Sequence, residues 1–414
     1  TEAVLSKLDK AAAYGMKVAG VWCQDWEGAR ITMIGKQLMW NWEWDSSHYK
    51  GLDKEIPKLK DRGIRFLGYC NPFLAIEKDL YKFAAAKGYC VKDKTGSDYL
   101  VKITTFPAAM IDLTNPDAYE WIKSVIINNM IGFGLDGWMA DFGEYLPTDC
   151  VLHSGEDAEK VHNTWPSLWA RVNREAVEES GKLGEVFFFT RSGFTGTAKY
   201  STLMWNGDQH VDWSYDEGLA SVIPASLSLA VTGFGLSHSD TGGYTTFSHI
   251  RREQELLMRW AEMNAFTPLF RSHEGNRPDD NIQFDSTPDV LAHYARMSRL
   301  HCALASYLKE ADTLNSKYGI PVMRPLFFYY NDRADFSEMY EYLLGRDILV
   351  APVLKKDKKE WEVYFPDDTW VHLWTGKLYK KGRYSVPAEL GFPPVFCREN
   401  SEYLNEFIKL KKVE

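Results

Sequence analysis

The sequence predicts a β/α barrel followed by a smaller antiparallel β domain, and three observations carry that expectation. Continuous apolar runs alternate with amphipathic helical stretches over the first two-thirds of the chain, the pattern of parallel strands covered on both faces. Repetition of these helix–strand units within a chain of 414 residues favours a closed barrel over an open sheet. From about residue 320 the texture changes to short strands separated by Asp, Gly, Lys and Pro turns, which sets two domains, 1–318 and 319–414.

Taken in order, the helical EAVLSKLDKAAAYG passes into the apolar run MKVAGVW, and LDKEIPKLKDRG leads into IRFLGYC. In PDAYEWIKSVIINNMIGFG, Pro116 directly follows Asn115, a good helix start; this segment leads into DGWMADF. The amphipathic EDAEKVHNTWPSLWARVNREAVEESGKLG feeds EVFFFTR, and STLMWNGD follows. Helical GLASVIPASLSLAVTG and strand-like FGLSHSD come next, and helical segments near 250–266 and 286–309 close the region. Beyond it, DILVAPVL, EWEVYFP, TWVHLWTG, RYSVPA and PPVFCREN read as strands of an antiparallel β-sandwich domain, with a short terminal helix in SEYLNEFIKLKK.

Composition narrows the function. An apolar fraction of 45% and a charged fraction of 25% suit a soluble globular protein. Net charge is −9, from 57 acidic against 48 basic residues, which argues against nucleic acid or an anionic membrane as the main partner. No apolar run reaches the roughly 18 residues of a membrane span. Six scattered cysteines form no CxxC pair and no zinc-like cluster with histidine, so they read as buried thiols of a cytoplasmic protein. The first residue is Thr rather than Met, which suits a fragment of a longer chain. The 15 Trp, 22 Tyr and 22 Phe suit sugar faces, or simply core mass.

Chemistry enters where apolar strands end in polar residues. The ends are VWCQD (Gln24, Asp25), MIDLTN (Asp112), WMADFGE (Asp141, Glu144), FFFTRS (Arg191), MWNGD (Asp208) and LSHSD (His238, Asp240). In a β/α barrel, strand C-termini form the active-site rim. Acids are rarely buried without a partner, and paired carboxylates without a metal cluster suggest glycoside hydrolysis, one protonating the leaving oxygen and the other attacking or activating water. Each acid alone has a plainer reading. Asp112 suits capping of the helix after Asn115, Glu144 an ion pair with an arginine, and Asp208 completion of the turn begun by Asn206-Gly207. Other classes lack their motifs: there is no GxSxG, GxGxxG, Gly-rich phosphate loop or HExxH, and GGYTT (242–246) reads as a flexible loop. The chemistry requires no metal and no cofactor.

GWMADFGEYLPTD (137–149) resembles glycoside hydrolase family 31 and, within it, the sulfoquinovosidases. GVWCQDW, MWNWEW, DLTNP, MWNGDQ, HSDTGGY, SHEGNRP and LLGRDILVAPV continue the resemblance in one order along the chain. It implies a (β/α)8 barrel of TIM type, with a first strand and an N-terminal β-sandwich domain that would precede this chain, and poor solubility or inactivity without them. It also implies a small-molecule sulfosugar glycoside as substrate and a retaining reaction at an α-linkage; a homo-oligomer stays open. By the same resemblance Asp141 is the nucleophile, Asp208 the general acid/base and Glu144 a support for the nucleophile. Arg191, Asp240 and His273 contact sugar hydroxyls, whereas Gln24, position 37, Trp40 and Tyr244 hold the sulfonate. Asp141 must then stay ionised while Asp208 is held protonated, and their carboxyl groups should stand about 5–5.5 Å apart. The family pattern expects arginine at 37, yet this chain has Gln37. Glutamine brings hydrogen bonds without charge, so Lys36 or Arg30 would have to compensate. That departure keeps an α-glucosidase or α-xylosidase of the same family open, with a non-catalytic sugar-binding relative as the third reading. Trp40, Trp42 and Trp44 have packing as their plainer role.

Overall fold

In the computed structural model, residues 1–32, 35–103 and 105–413 are described. The chain separates into two compact units, Thr1–Leu5 with Val18–Met204, and Ser6–Lys17 with Trp205–Glu414.

The first unit is built on parallel strands. Gly20–Trp22 pairs with Arg65–Cys70, which pairs with Gly137–Ala140, which pairs with Phe187–Thr190. Met204 extends the row beyond Thr190. Strand Gly137–Ala140 is buried throughout and Arg65–Cys70 is buried after its first residue. That two-sided burial is why these stretches lack the alternation of a half-exposed strand.

Helices join the strands. Pro116–Val125 buries Ala118, Ile122 and Val125, a spacing of four and three that gathers them on one buried apolar face. Burying each large aliphatic side chain there is worth roughly 1.5–3 kcal/mol. The helix continues as a π-helical turn, Ile126–Ile131. Helix Trp165–Glu179 inserts Trp165 and Trp169, both essentially inaccessible.

Two features of this unit were not foreseen. One is the antiparallel hairpin Ala29–Thr32/Gly35–Leu38. The other is a three-stranded antiparallel sheet of Phe73–Ala75, Ala108–Met110 and Leu100–Val101.

The second unit carries helices Val222–Val231, Gln254–Asn264, Pro288–Ala303 and Ala305–Tyr318. The last of these lengthens the segment expected at 286–309. A short parallel pair, Asp240–Thr241 with Arg271–Ser272, sets Asp240 beside Arg271. The C-terminal region is a six-stranded antiparallel sheet in the order Met323–Arg324, Tyr342–Leu344, Ile348–Val350, Val395–Arg398, Glu360–His372, Leu378–Pro387. The stretches EWEVYFP and TWVHLWTG, expected as two strands, form the one strand Glu360–His372, with a register shift between Phe365 and Thr369.

All six cysteines are free thiols; five are buried and Cys302 is exposed. Among the described residues no helix is long and apolar enough to cross a membrane.

Candidate active site

Strand register decides what stands at the rim of the first unit. Cys70 lies beside Ala140, and Ala140 beside Thr190. The next residue in each strand is therefore Asn71, Asp141 and Arg191, so an amide, a carboxylate and a guanidinium leave the sheet at one level. In β/α proteins that level is where ligands are met.

Asp141 is 6% exposed. The Tyr69 hydroxyl donates to its Oδ2 at 2.5 Å, and Arg191 Nε stands 3.4 Å from its Oδ1. Burial pushes this carboxyl above the ordinary aspartate range, while the Arg191 charge and the Tyr69 hydrogen bond pull it back. Burial and the adjacent Asp141 charge also hold the Tyr69 hydroxyl well above its usual pKa, so it remains a proton donor. Asn71 Nδ2 donates to the Tyr69 oxygen at 3.2 Å, which orients that hydroxyl toward the acid.

The chain then turns sharply. Phe142 has φ 60° and Gly143 φ 108°, two consecutive left-handed residues, and a Cβ on Gly143 would sit 2.8 Å from Ser192 Oγ. Glycine is therefore required at 143 on both conformational and steric grounds. The turn delivers Glu144 to Arg191, whose Nε donates to Oε1 at 2.9 Å and whose Nη2 contacts the same oxygen. Glu144 thus does pair with an arginine, and that arginine also faces Asp141. The guanidinium lies over the Phe142 ring, 4.0 Å from its centre.

Trp40 differs from its two neighbours. Trp42 is completely buried, and Trp44 donates its indole N–H to the Tyr49 carbonyl at 2.9 Å; both are packing residues. Trp40, at φ 52°, meets Phe73, Phe106 and Phe142 with ring centres 5.4, 4.8 and 5.6 Å away, so its ring reaches the residue next to Asp141. Gln24 is half-buried two residues past the strand Gly20–Trp22. Gln37 lies opposite Arg30 in the hairpin and accepts a hydrogen bond from Thr105 Oγ1 at 2.7 Å.

In the second unit the polar residues gather around two arginines. Asp240 is inaccessible, sits in register with Arg271 and forms an ion pair with its Nη2 at 2.5 Å. Burial raises the Asp240 pKa against the pull of Arg271 and Arg252. His273 accepts from the Gly275 N–H through Nδ1 at 2.8 Å. Burial, then Arg271 and Arg252, hold its pKa well below the usual histidine value. The ring is therefore neutral, with its proton on Nε2 as a hydrogen-bond donor. Tyr244 meets the His273 ring edge to face at 4.8 Å. Asp208 is exposed at the end of MWNGD, close enough for its charge to act on Arg271.

Two expectations are corrected. Asp112 does not cap the helix that begins at Pro116. Asn115 does so, accepting from the N–H groups of Asp117 and Ala118. Asp112 instead clamps a loop, accepting from Thr114 N–H at 2.9 Å and His153 N–H at 2.7 Å. GGYTT is not a loose loop: the Tyr244 and Thr245 N–H groups donate to the Gln209 carbonyl, and a Cβ at Gly243 would lie 2.7 Å from the His210 carbonyl oxygen.

Tyr69, Asn71, Arg252 and Arg271 were missed. Tyr69 is next to last in the stretch IRFLGYC and Asn71 directly follows it, so the same strand-end rule applies to both positions. Arg271 lies on a strand of two residues, too short to carry a period. Among the described residues no group of three or more His, Cys, Asp or Glu side chains could hold a metal ion.

A model described as "Glycosyl hydrolases family 31 TIM-barrel domain" matches residues 1–311, and "Glycosyl hydrolase family 31 C-terminal domain" matches 319–401. A sulfoquinovosidase of Escherichia coli (strain K12) is 55% identical over 414 residues, covering 100% of this chain and 61% of that protein. One from Agrobacterium fabrum is 47% identical over 412 residues, with coverage of 99% and 62%. A solved family 31 sulfoquinovosidase from E. rectale, in complex with the aza-sugar inhibitor IFGSQ, superposes with a TM-score of 0.97 at 50% identity, over 99% of this chain and 62% of that one. The chain thus spans about three-fifths of the length of these relatives.

Proposed function

The chain belongs to glycosyl hydrolase family 31, and from that premise we propose that it is the greater part of a retaining α-glycoside hydrolase that cleaves α-sulfoquinovosides. Residues 1–318 make up the (β/α)8 catalytic barrel and 319–414 a β-sandwich domain. Asp141 attacks the anomeric carbon, forming a glycosyl ester as the aglycone oxygen takes a proton from Asp208. Asp208 then removes a proton from water, which displaces Asp141 and restores the original anomeric configuration. Glu144 steadies Arg191 beside the nucleophile. Arg191, Asp240 and His273 meet sugar hydroxyls, and Gln24, Gln37, Trp40 and Tyr244 meet the sulfonate.

The observation that carries this reading is the setting of Asp141, a buried acid at a strand end between the Tyr69 hydroxyl and Arg191. A carboxylate so placed has the charge partners an attacking oxygen needs, and a helix cap or surface ion pair would need neither the burial nor the second donor. The 55% identity to a curated sulfoquinovosidase supports the substrate class. Gln37 favours one second reading, hydrolysis of an uncharged α-glucoside or α-xyloside.

Activity on an aryl α-sulfoquinovoside, measured against the matching aryl α-glucoside, separates the two. Preference for the sulfonated sugar is expected, with a further gain in the Gln37→Arg variant. A preference for the glucoside overturns the substrate reading. Asp141→Asn should lose turnover while keeping sugar binding, and surviving turnover would remove Asp141 from the nucleophile role.

A further inference from the structure

A sulfonate keeps its charge at any working pH, so a site for it needs a cation or a dense set of donors. Three cations of the first unit come into question: Arg191, which faces Asp141, and Lys36 and Arg30, which lie on the hairpin that carries Gln37. Arg191 is already divided between Asp141 and Glu144. Lys36 is ion-paired with Asp25, which also accepts from the Tyr49 hydroxyl at 2.6 Å and lies 3.0 Å from His48 Nε2. Its charge is spent on that cluster.

Arg30 remains. It is the cross-strand partner of Gln37, and directly paired residues of an antiparallel hairpin project from the same face, with Cβ atoms about 4.5–5.5 Å apart. Its guanidinium carbon lies over the Phe106 ring, 3.8 Å from the ring centre, and Phe106 in turn meets Trp40. The group is thereby held rigid on the wall that reaches Phe142. One nitrogen, Nη2, donates to the Met39 carbonyl at 3.2 Å, and Nη1 is balanced by Glu77, whose side chain is 44% exposed. The third, Nε, is buried and has no hydrogen-bond partner among the described residues, where a buried donor ordinarily has one. Beside it, the Gln37 carbonyl oxygen is taken by Thr105 Oγ1, which leaves the amide N–H groups as the donating end of that side chain.

We infer that Arg30 supplies the positive charge for the anionic substituent of the sugar, with the Gln37 amide as its uncharged companion on the same hairpin face. This rests on the sulfoquinovoside reading above. The two residues divide between them what one arginine at position 37 would do: charge from one strand, hydrogen bonds from the other. Lys36, one residue from Gln37 but committed to Asp25, is a structural cation and not a substrate contact.

The test compares kcat/KM for the aryl α-sulfoquinovoside with kcat/KM for the aryl α-glucoside in the full-length protein and its Arg30→Met, Arg30→Lys and Lys36→Met variants. A variant that folds in part loses both substrates together and leaves the ratio alone. Arg30→Met is expected to lower the sulfonated-to-neutral ratio about 10- to 100-fold, the range for losing a hydrogen bond to a charged group. Arg30→Lys, which keeps the charge but neither the Nε–H donor nor the stacking on Phe106, should fall between the parent and Arg30→Met, and Lys36→Met should move both substrates in step. A ratio unchanged in Arg30→Met, or one that falls only in Lys36→Met, overturns the inference and leaves the substrate reading standing. No preference for the sulfonated substrate in the parent protein overturns that reading, and this inference with it.

Discussion

The hydroxyl of Tyr69 and the guanidinium of Arg191 are what keep Asp141 usable as a nucleophile. Burial alone favours the neutral acid, and these two groups oppose it. Removing either should raise the pKa of Asp141 further. Only the ionised form attacks, so the activity that appears on deprotonation must then begin at higher pH. For Tyr69→Phe the acid limb of kcat/KM against pH is expected to move upward, and the plateau to fall about 10- to 100-fold, the cost of one hydrogen bond to a charged oxygen. An acid limb that stays in place or moves downward contradicts the assignment. The ring of Tyr69 also packs against Trp42, with centres 5.9 Å apart. Phenylalanine keeps that contact, which is why it is the informative replacement and alanine is not.

Helix Pro116–Val125 offers a test of how local sequence sets an element. Asn115 accepts from Asp117 N–H at 3.0 Å and Ala118 N–H at 3.4 Å, covering donors that a first helical turn leaves open. Asn115→Ala is expected to lower stability by about 1 kcal/mol, with Asn115→Ser retaining most of it; urea midpoints of the three proteins check this, and equal midpoints for parent and alanine variant would discount the cap. This helix was legible because Asn-Pro is a start signal and its apolar residues repeat at helical spacing. The parallel strands were legible because burial on both faces leaves unbroken apolar runs, and their ends pointed to Asp141, Glu144 and Arg191 for the same reason. The hairpin at Ala29–Thr32/Gly35–Leu38 was not, since none of its described residues is fully buried and no alternation marks it. Pro366-Asp367-Asp368 looked like a turn between two strands, but it falls at a register shift inside one long strand, where the extra length is absorbed by a bulge. Asp112 was misread because the cap and the acid stand three residues apart, and only coordinates tell which one turns toward the helix. His273 was reachable only by resemblance, its strand being too short to leave a pattern.

At the scale of the whole molecule, buried titratable groups set the pH range over which the fold holds. His293 and His372 are held down at about 4, by burial above all, so both are neutral in the folded protein at neutral pH. An unfolded chain takes up protons at these positions near pH 6.5. Between about pH 6.5 and 4 the unfolded state therefore binds more protons, and stability declines as pH falls through that window before levelling below about 4. Each histidine contributes a slope of about 1.4 kcal/mol per pH unit, up to about 3 kcal/mol in all. Glu262 acts in the opposite sense. Burial raises its pKa to about 7, so the folded state holds a proton that the unfolded chain releases near 4.5, and stability from this group declines as pH rises from about 4.5 to 7. Because the two effects overlap, the sum over the protein does not isolate either, whereas a single replacement does. His372 is buried in the C-terminal sheet, its Nδ1 2.9 Å from Thr375 Oγ1. His372→Gln removes its proton uptake from the unfolded state and is expected to flatten the decline between pH 6.5 and 4 by about one proton, whatever it does to stability at pH 8. Urea unfolding of the parent and the variant at several pH values across that range measures the difference directly. Parallel curves would mean that His372 is protonated to the same extent in both states, and that burial does not hold it neutral.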